Sequence, residues 1–183
     1  MTGRPADWVL THIVVNDATI AGDDPQAILD PVWYSASFYE SEKVLEETLA
    51  PFSWPQRLAW AVLWTSAEIC NGGLDQYFSN STGMIWPEAI EGFEAMGRHD
   101  LAQIVLEATR KFPSPPARER ALRWQGLDAM DRGALNELTD RYYDLEGDLF
   151  DDILAYIRNQ PDAFYFEGDV YMPPPLASPG QQD

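Results

Sequence analysis

Apolar residues recur at helical spacing along most of the chain, and prolines and glycines divide this pattern into segments. In residues 101–112, for example, the apolar positions share one helical face and Asp100 is the expected N-cap. The pattern predicts helices over residues 35–49, 55–70 with a short continuation to Phe78, 87–96, 101–112, 117–131, 134–146 and 148–159.

The two ends of the chain depart from this helical pattern. Residues 8–15 are rich in β-branched side chains and predict either a strand or an apolar arm that packs on the core. Residues 16–30 hold the glycine and proline that are typical of a loop. Beyond Pro161 the apolar positions alternate, and from Pro173 the proline-rich chain is expected to be disordered at its end.

Together these elements predict a mainly α fold, a single-domain multi-helix bundle with short irregular or extended N- and C-terminal segments. A chain of 183 residues with 45% apolar content is sufficient for one core. We divide it into an N-terminal arm or loop (1–34), a helical domain (35–166) and an acidic, proline-rich, partly disordered tail (167–183). The sequence holds no uninterrupted apolar stretch of the roughly 20 residues that a membrane-spanning helix needs.

The formal net charge of −18 narrows the choice of partners. Nucleic acids and anionic membranes would be repelled, whereas basic proteins, polyamines and metal cations would be attracted. The acidity is concentrated at the two ends of the chain. Residues 1–50 hold nine acids and two bases and residues 139–183 hold ten acids and two bases, against eleven acids and eight bases in residues 51–138. Solubility or salt tolerance would also explain an acidic composition.

One segment near the middle of the chain interrupts a helical run with two adjacent glycines. It reads Asn71-Gly72-Gly73-Leu74-Asp75-Gln76-Tyr77-Phe78-Ser79-Asn80, and Glu68 precedes it. A glycine inside a helix costs about 1 kcal/mol relative to alanine. A pair of them therefore indicates a special backbone conformation or a close packing contact.

The segment resembles the signature of a bacterial DNA-mimic-protein-like family, a domain of unknown function with the motif Asn-Gly-Gly-x-x-Gln-Tyr-Phe-x-Asn. The residues that match it are Glu68, Asn71, Gly72, Gly73, Gln76, Tyr77, Phe78 and Asn80. Leu74 stands where the family usually has an aromatic residue, and the resemblance extends over residues 35–166. It implies an all-helical fold and, as in the family's best-known member, binding to a DNA-binding regulator in place of DNA.

Two interpretations of the motif follow from its residues. In the first, Glu68 and Asn71 hydrogen-bond the backbone groups freed at the glycines, and the aromatic residues of the motif lie in the core. In the second, Glu68, Asn71, Asp75 and Tyr77 line a pocket for acid–base chemistry or for a hard cation. We favour the structural interpretation because no nucleophile, phosphate loop or basic substrate clamp accompanies these residues.

Carboxylates recur at four-residue steps near the C-terminus. At 1.5 Å rise per residue, such steps place charges about 6 Å apart along one helical face. B-DNA carries one charge per about 1.7 Å, so a DNA-like surface needs further acids or a second subunit. A solvated amphipathic helix would show the same pattern. The partner-binding candidates are Asp128, Asp131, Glu137, Asp140, Asp144, Asp148, Asp151 and Asp152.

The other reactive residues give little indication of chemistry. His12 and His99 lack metal-ligand spacing, and the single cysteine, Cys70, falls in a helix that is predicted to be buried. We predict no metal and no cofactor. One cluster of arginines is expected either to pair with the C-terminal carboxylates or to form a second face: Arg118, Arg120 and Arg123.

The sequence thus predicts a cytoplasmic, non-enzymatic acidic protein that binds a basic DNA-binding protein through a DNA-like carboxylate surface. The partner would be a regulator, a nucleoid protein or a nuclease, and we expect a monomer or homodimer without direct contact to nucleic acid or membrane. One alternative is an immunity-type protein that neutralises a toxin. Another is a hydrolase or metal-dependent enzyme that uses Glu68 and Asp75.

Overall fold

The computed structural model of the protein describes residues 7–174. Its main elements, numbered along the chain, are β1 Val9–Val15, α1 Asp17–Ile20, α2 Pro25–Ser35, α3 Glu42–Leu49, α4 Trp54–Ser79, α5 Trp86–Ala95, α6 His99–Thr109, α7 Arg120–Asp128, α8 Asn136–Leu145, α9 Leu149–Arg158 and β2 Phe166–Met172. Short 3₁₀ turns cover Ser81–Ile85, Arg132–Leu135 and Pro161–Ala163. The prediction of a mainly α single domain is confirmed.

The 26-residue helix α4 lies at the centre of the fold. It begins with a capping box in which Ser53 and Gln56 exchange hydrogen bonds, and a proline occupies its first turn. Helices α2, α5, α7 and α8 pack around it. Its side chains Ala59, Trp60 and Ile69 are fully buried in the core, which also takes in the apolar faces of the surrounding helices.

A two-stranded antiparallel sheet joins the two ends of the described chain. Val9 pairs with Met172 and Val15 pairs with Phe166, so β1 and β2 are in register over their whole length. The strand predicted from the β-branched residues 8–15 is therefore confirmed. Its partner β2 begins at Phe166, the last residue of the predicted helical domain, and continues into the predicted tail. The disorder predicted for the end of the chain concerns residues outside 7–174, and the proposed domain boundaries stay a prediction.

The loop predicted over residues 16–30 is wrong for α1 and α2. Asn16 caps α1 by accepting hydrogen bonds from the backbone N–H groups of Ala18 and Thr19. Asp24 caps α2, and Pro25 occupies its first position. Polar caps and a proline at a helix start satisfy or remove the free N–H groups there, so residues typical of a loop here begin helices instead.

Two predicted helix starts also differ from the structure. Asp100 is not the N-cap of α6, because the helix begins at His99 and Arg98 takes the cap position. The helix predicted over 35–49 begins later, as α3 at Glu42, because residues 36–41 are not helical and Ser41 caps α3 through the N–H of Val44. Within residues 7–174, no helix has the length and apolar character needed to cross a membrane.

Candidate functional site

The two adjacent glycines bend α4 near its C-terminal end. Gly72 has φ −161° and ψ 22°, and Gly73 has φ 74° and ψ −179°. The second of these conformations belongs to a region that is essentially restricted to glycine. A Cβ at Gly73 would also lie 3.0 Å from Cγ2 of Thr139 in α8. Gly73 is therefore required both for the backbone conformation and for the close approach of α8.

Glu68 ties the two halves of the bent helix together. Its Oε2 accepts hydrogen bonds from Nε2 of Gln76 at 3.2 Å and from Nδ2 of Asn80 at 2.8 Å. The Gln76 side chain reaches Glu68 by crossing Gly72, where an added Cβ would lie only 2.0 Å from its Oε1. This network involves side chains, so the expectation that Glu68 bonds the freed backbone is wrong.

One backbone N–H at the bend is satisfied by a residue that the motif does not contain. Thr139 in α8 accepts a hydrogen bond at its Oγ1 from the backbone N–H of Leu74, at 3.1 Å. An unpaired N–H at this half-buried position would cost free energy. Thr139 thus fixes the bend and connects the motif to the acidic helix α8.

The C-terminal end of α4 is capped by side chains from α7. Arg123 is fully buried and donates to the carbonyl oxygens of Phe78 at 2.7 Å and Asn80 at 2.5 Å. Arg120 and Trp124 both donate to the carbonyl of Ser79. Burial lowers the pKa of Arg123 to about 10, so the guanidinium stays charged at neutral pH. These contacts satisfy carbonyls that a helix end leaves without intrahelical partners.

The aromatic residues of the motif belong to the core. Tyr77 and Phe78 are fully buried, and the Tyr77 hydroxyl accepts a hydrogen bond from Thr65 Oγ1 at 3.2 Å. Burial raises the pKa of Tyr77 well above its ordinary value. A neutral, buried tyrosine without access to solvent contributes packing and is not available to a substrate.

The residues of the alternative catalytic interpretation do not meet in a cavity. Asn71 is exposed and makes no side-chain hydrogen bond within residues 7–174. Asp75 lies 3.5 Å from the guanidinium of Arg132, and Glu68 is occupied by its two amides. The described chain also has no group of three or more His, Cys, Asp or Glu residues arranged to hold a metal ion. The motif thus positions helices α4, α7 and α8.

Five of the eight partner-binding candidates are exposed and make no ion pair or side-chain hydrogen bond to any other residue of 7–174. We call these five the carboxylate surface: Glu137, Asp140, Asp144, Asp148 and Asp151. The first three lie on α8 at spacings of three and four residues, which place them on one helical face. Asp148 precedes α9 and Asp151 lies in its first turn.

The other three candidates are engaged within the fold. Asp152 is half-buried and pairs with Arg98 at 3.0 Å. Asp128 pairs with Arg132 at 2.9 Å, and Asp131 accepts a hydrogen bond from the N–H of Gly133. We therefore exclude these three residues from the carboxylate surface. Arginines partly neutralise Asp128 and Asp152, and Asp131 caps a 3₁₀ turn.

The arginine cluster does not pair with the C-terminal carboxylates. Arg118 binds Glu42 at 3.0 Å and Glu88 at 2.6 Å, so it joins α3 to α5. Arg120 and Arg123 cap α4, and the Arg120 guanidinium also lies over the Trp124 ring. The expectation that the three arginines either neutralise the carboxylates or form a second face is therefore wrong.

A cavity of about 240 Å³ lies between α4 and the turn that joins α8 to α9. Its lining residues are Leu63, Ser66, Ala67, Cys70, Glu146, Gly147, Leu149 and Phe150. Ser66 donates to the Glu146 carboxylate at 3.2 Å. Cys70 is exposed, which corrects its predicted burial, and partial burial of its thiol together with Glu146 raises its pKa.

Both histidines lie at the surface beside acids. His12 of β1 contacts Asp169 of β2 at 2.9 Å, and His99 contacts Glu94. Each histidine therefore contacts a carboxylate at the surface, and neither lies in the lining of the cavity.

Comparison with known proteins identifies one family. A family model described as DMP19-like protein matches residues 50–160, which is more than half of the chain. The match runs from the start of α4 to the end of α9 and so includes the helix bend, the carboxylate surface and the cavity. No curated protein and no solved structure matches the chain.

Proposed function

The chain belongs to the DMP19-like protein family, and on that premise we propose that it is a non-enzymatic protein that binds a basic DNA-binding protein through its carboxylate surface. Family membership agrees with the resemblance to a family whose best-known member binds a regulator in place of DNA. A regulator, a nucleoid protein or a nuclease would be a suitable partner, and such a partner would place the protein in the cytoplasm.

The observation that carries the proposal is that the carboxylate surface is not neutralised. Its five members are exposed and have no ion-pair partner among residues 7–174, whereas nearby acids such as Asp152 and Glu107 are paired with arginines. Carboxylates at four-residue steps repel one another and weaken a helix by a few tenths of a kcal/mol per pair. A basic partner would relieve that repulsion on binding.

The spacing of these charges suits contacts to alternate phosphates of one DNA strand. Along the helix axis, Asp140 and Asp144 are about 6 Å apart and Glu137 and Asp140 about 4.5 Å apart. Phosphates of one strand follow at about 3.4 Å along the DNA axis. A protein whose arginines reach every second phosphate would find acceptors at a similar interval. Its association would be fast and sensitive to salt, because the attraction acts over several ångströms of solvent.

A binding role is supported further by the state of the motif. Glu68, the best candidate for acid–base chemistry, is held by two amides, and Tyr77 is closed off in the core. Of the residues that the enzyme interpretation requires, Glu68 instead joins the two halves of α4 and Tyr77 packs in the core, so both help to fix the helices that present the carboxylates.

The proposal is tested by affinity capture from a lysate of the native host at low salt, followed by a salt step and mass spectrometry. The test variant changes Asp140, Asp144, Asp148 and Asp151 to Asn. The control variant changes the same number of acids elsewhere, with Gln at Glu46, Glu47 and Glu167 and Asn at Asp169. These control acids are paired with Arg57, Lys43 and His12.

We expect the wild type and the control variant to retain one DNA-binding protein that the test variant loses. Both variants change the net charge equally, so the comparison separates a specific surface from general acidity. Equal retention by the two variants would contradict the proposal, as would a captured protein that does not bind DNA.

A further inference from the structure

The cavity between α4 and the α8–α9 turn is lined by residues that are adjacent in sequence to members of the carboxylate surface. Glu146 and Gly147 line it, and Asp148 stands between Gly147 and the next lining residue, Leu149. Phe150, also in the lining, is 61% exposed, and Leu145, which precedes the lining residue Glu146 in sequence, is 43% exposed. Large apolar side chains that stay in water next to a cavity indicate a surface that another molecule covers.

The chemistry of the lining disfavours a catalytic pocket. Partial burial and the neighbouring Glu146 carboxylate raise the pKa of the Cys70 thiol, which disfavours the reactive thiolate. Leu63, Ala67, Leu149 and Phe150 make most of the remaining wall apolar. Such a wall stabilises an apolar group by excluding it from water.

The size of the cavity suits one side chain. Pockets for drug-sized ligands have volumes of about 300–1,000 Å³, and an apolar cavity of about 150 Å³ accommodates benzene. This cavity, of about 240 Å³, falls between these limits. It therefore has room for the side chain of a Phe, Leu or Met that projects from the surface of a partner.

We propose that this cavity receives an apolar side chain of the basic partner. Lys or Arg residues on both sides of that side chain would then contact Asp144, Asp148 and Asp151. Charge complementarity selects this occupant. A second copy of the chain would bring its own carboxylate surface against this one, and like charges in contact are destabilising. An apolar anchor in a pocket, surrounded by charged contacts at the rim, is the usual arrangement of a binding hot spot.

This inference rests on the proposed function and makes it more specific. The carboxylate surface by itself would accept any protein with suitably placed cations. The cavity adds a requirement that the partner carry an apolar residue among those cations. A DNA duplex has no such cavity, so it imposes no such requirement on the proteins that bind it. It would let this protein discriminate between different DNA-binding proteins.

The test uses two synthetic peptides that carry the same Lys and Arg residues and differ only at the central position, Phe in one and Ser in the other. Their affinities for the full chain are measured at about 20 mM salt, where electrostatic attraction is weakly screened. We expect the Phe peptide to bind about tenfold more tightly, as burial of one aromatic ring implies. We also expect it to slow alkylation of Cys70, the only cysteine of the chain.

Two changes that fill the cavity, compared with one control, test whether the Phe side chain of the peptide binds there. Ala67→Phe, in the lining, should remove the preference for the Phe peptide, and so should alkylation of Cys70 with N-ethylmaleimide. Ala121→Phe places the same ring on an exposed position of α7 outside the lining and should keep the preference. All three proteins retain the carboxylate surface, so their affinities for the Ser peptide should agree.

The outcomes separate the inference from the proposed function. The two peptides could bind with equal affinity, and this binding could be lost when Asp140, Asp144, Asp148 and Asp151 are changed to Asn. That result would overturn the cavity as an anchor site and would still support the carboxylate surface as the binding surface. Failure of both peptides to bind would overturn both. Self-association of the wild type that Phe150→Ser abolishes would assign the cavity to a second copy and overturn the inference.

Discussion

The carboxylate of Glu68 accepts a hydrogen bond from the side-chain amide of Asn80 at 2.8 Å, twelve residues further along the chain. The bond spans the bend at Gly72 and Gly73, so it joins the two helical segments that the bend separates. Gln76 donates to the same oxygen. The polar residues of the motif thus form one network that holds a bent helix, and the bend directs α4 towards α7 and α8.

Replacement of Gly73 tests the requirement for the bend. Gly73→Ala should lower the free energy of unfolding by about 2 kcal/mol, because an alanine Cβ is strained in this conformation and approaches Thr139. Urea unfolding measures the change. Gly147→Ala is the control, since nothing lies within 4 Å of its added Cβ. Similar losses of stability for the two substitutions would show that the bend does not require a glycine at position 73.

Removal of the Glu68 carboxylate tests the network. Glu68→Ala leaves two half-buried amide groups without their acceptor and should reduce the free energy of unfolding by about 1–3 kcal/mol. Glu137→Ala, which removes an exposed carboxylate that has no ion pair, should change stability by less than about 0.5 kcal/mol. If Glu68→Ala left stability unchanged but removed a hydrolase or metal-dependent activity of the wild type, the result would instead support the enzyme interpretation.

The buried guanidinium of Arg123 should be essential for the position of α7. Arg123→Lys keeps the charge but cannot reach the carbonyls of Phe78, Asn80, Ala117 and Arg118 together. We expect a loss of about 3 kcal/mol or more in thermal or urea unfolding, because hydrogen bonds to a charged group are lost in a buried site. Arg120→Lys, on the exposed side of α7, should cost about 1 kcal/mol or less. Equal costs would show that burial of Arg123 is unimportant.

The thiol of Cys70 should react slowly at neutral pH. Partial burial and the Glu146 carboxylate raise its pKa, so less thiolate is present than in the unfolded chain at the same pH. The pH at which the rate of iodoacetamide alkylation increases should therefore be higher for the folded protein than for the protein unfolded in urea. Glu146→Gln should shift this profile back towards lower pH, whereas Glu137→Gln should not. A folded profile at or below the unfolded one would contradict the assigned environment.

The sequence predicts those parts of the fold that local pattern determines. Apolar periodicity locates the helices from α4 to α9, and the β-branched run locates β1. The caps Asn16 and Asp24 begin helices in a segment whose glycine and proline favour a loop. The alternating apolar positions beyond Pro161 are compatible with a strand, but periodicity does not encode the pairing of β2 with β1 at the other end of the chain.

The same limit applies to the site. The glycine pair and the recurring carboxylates are visible in the sequence, but the partners of the motif are distant. Thr139 bonds Leu74 across 65 residues, and Arg123 bonds Phe78 across 45. Arg123 carries one local signal, since it lies one turn from Leu127 on the buried face of α7. The cavity depends on the packing of two segments and leaves no such signal.

In the proposed function, the carboxylate surface occupies the DNA-binding site of the partner protein. The most direct measurement is a competition between this protein and duplex DNA for the captured partner, followed at low salt and at about 0.5 M salt. We predict that DNA and the protein exclude each other, and that both complexes weaken as salt increases. A ternary complex of partner, DNA and this protein, or binding unaffected by about 0.5 M salt, would contradict the proposed function.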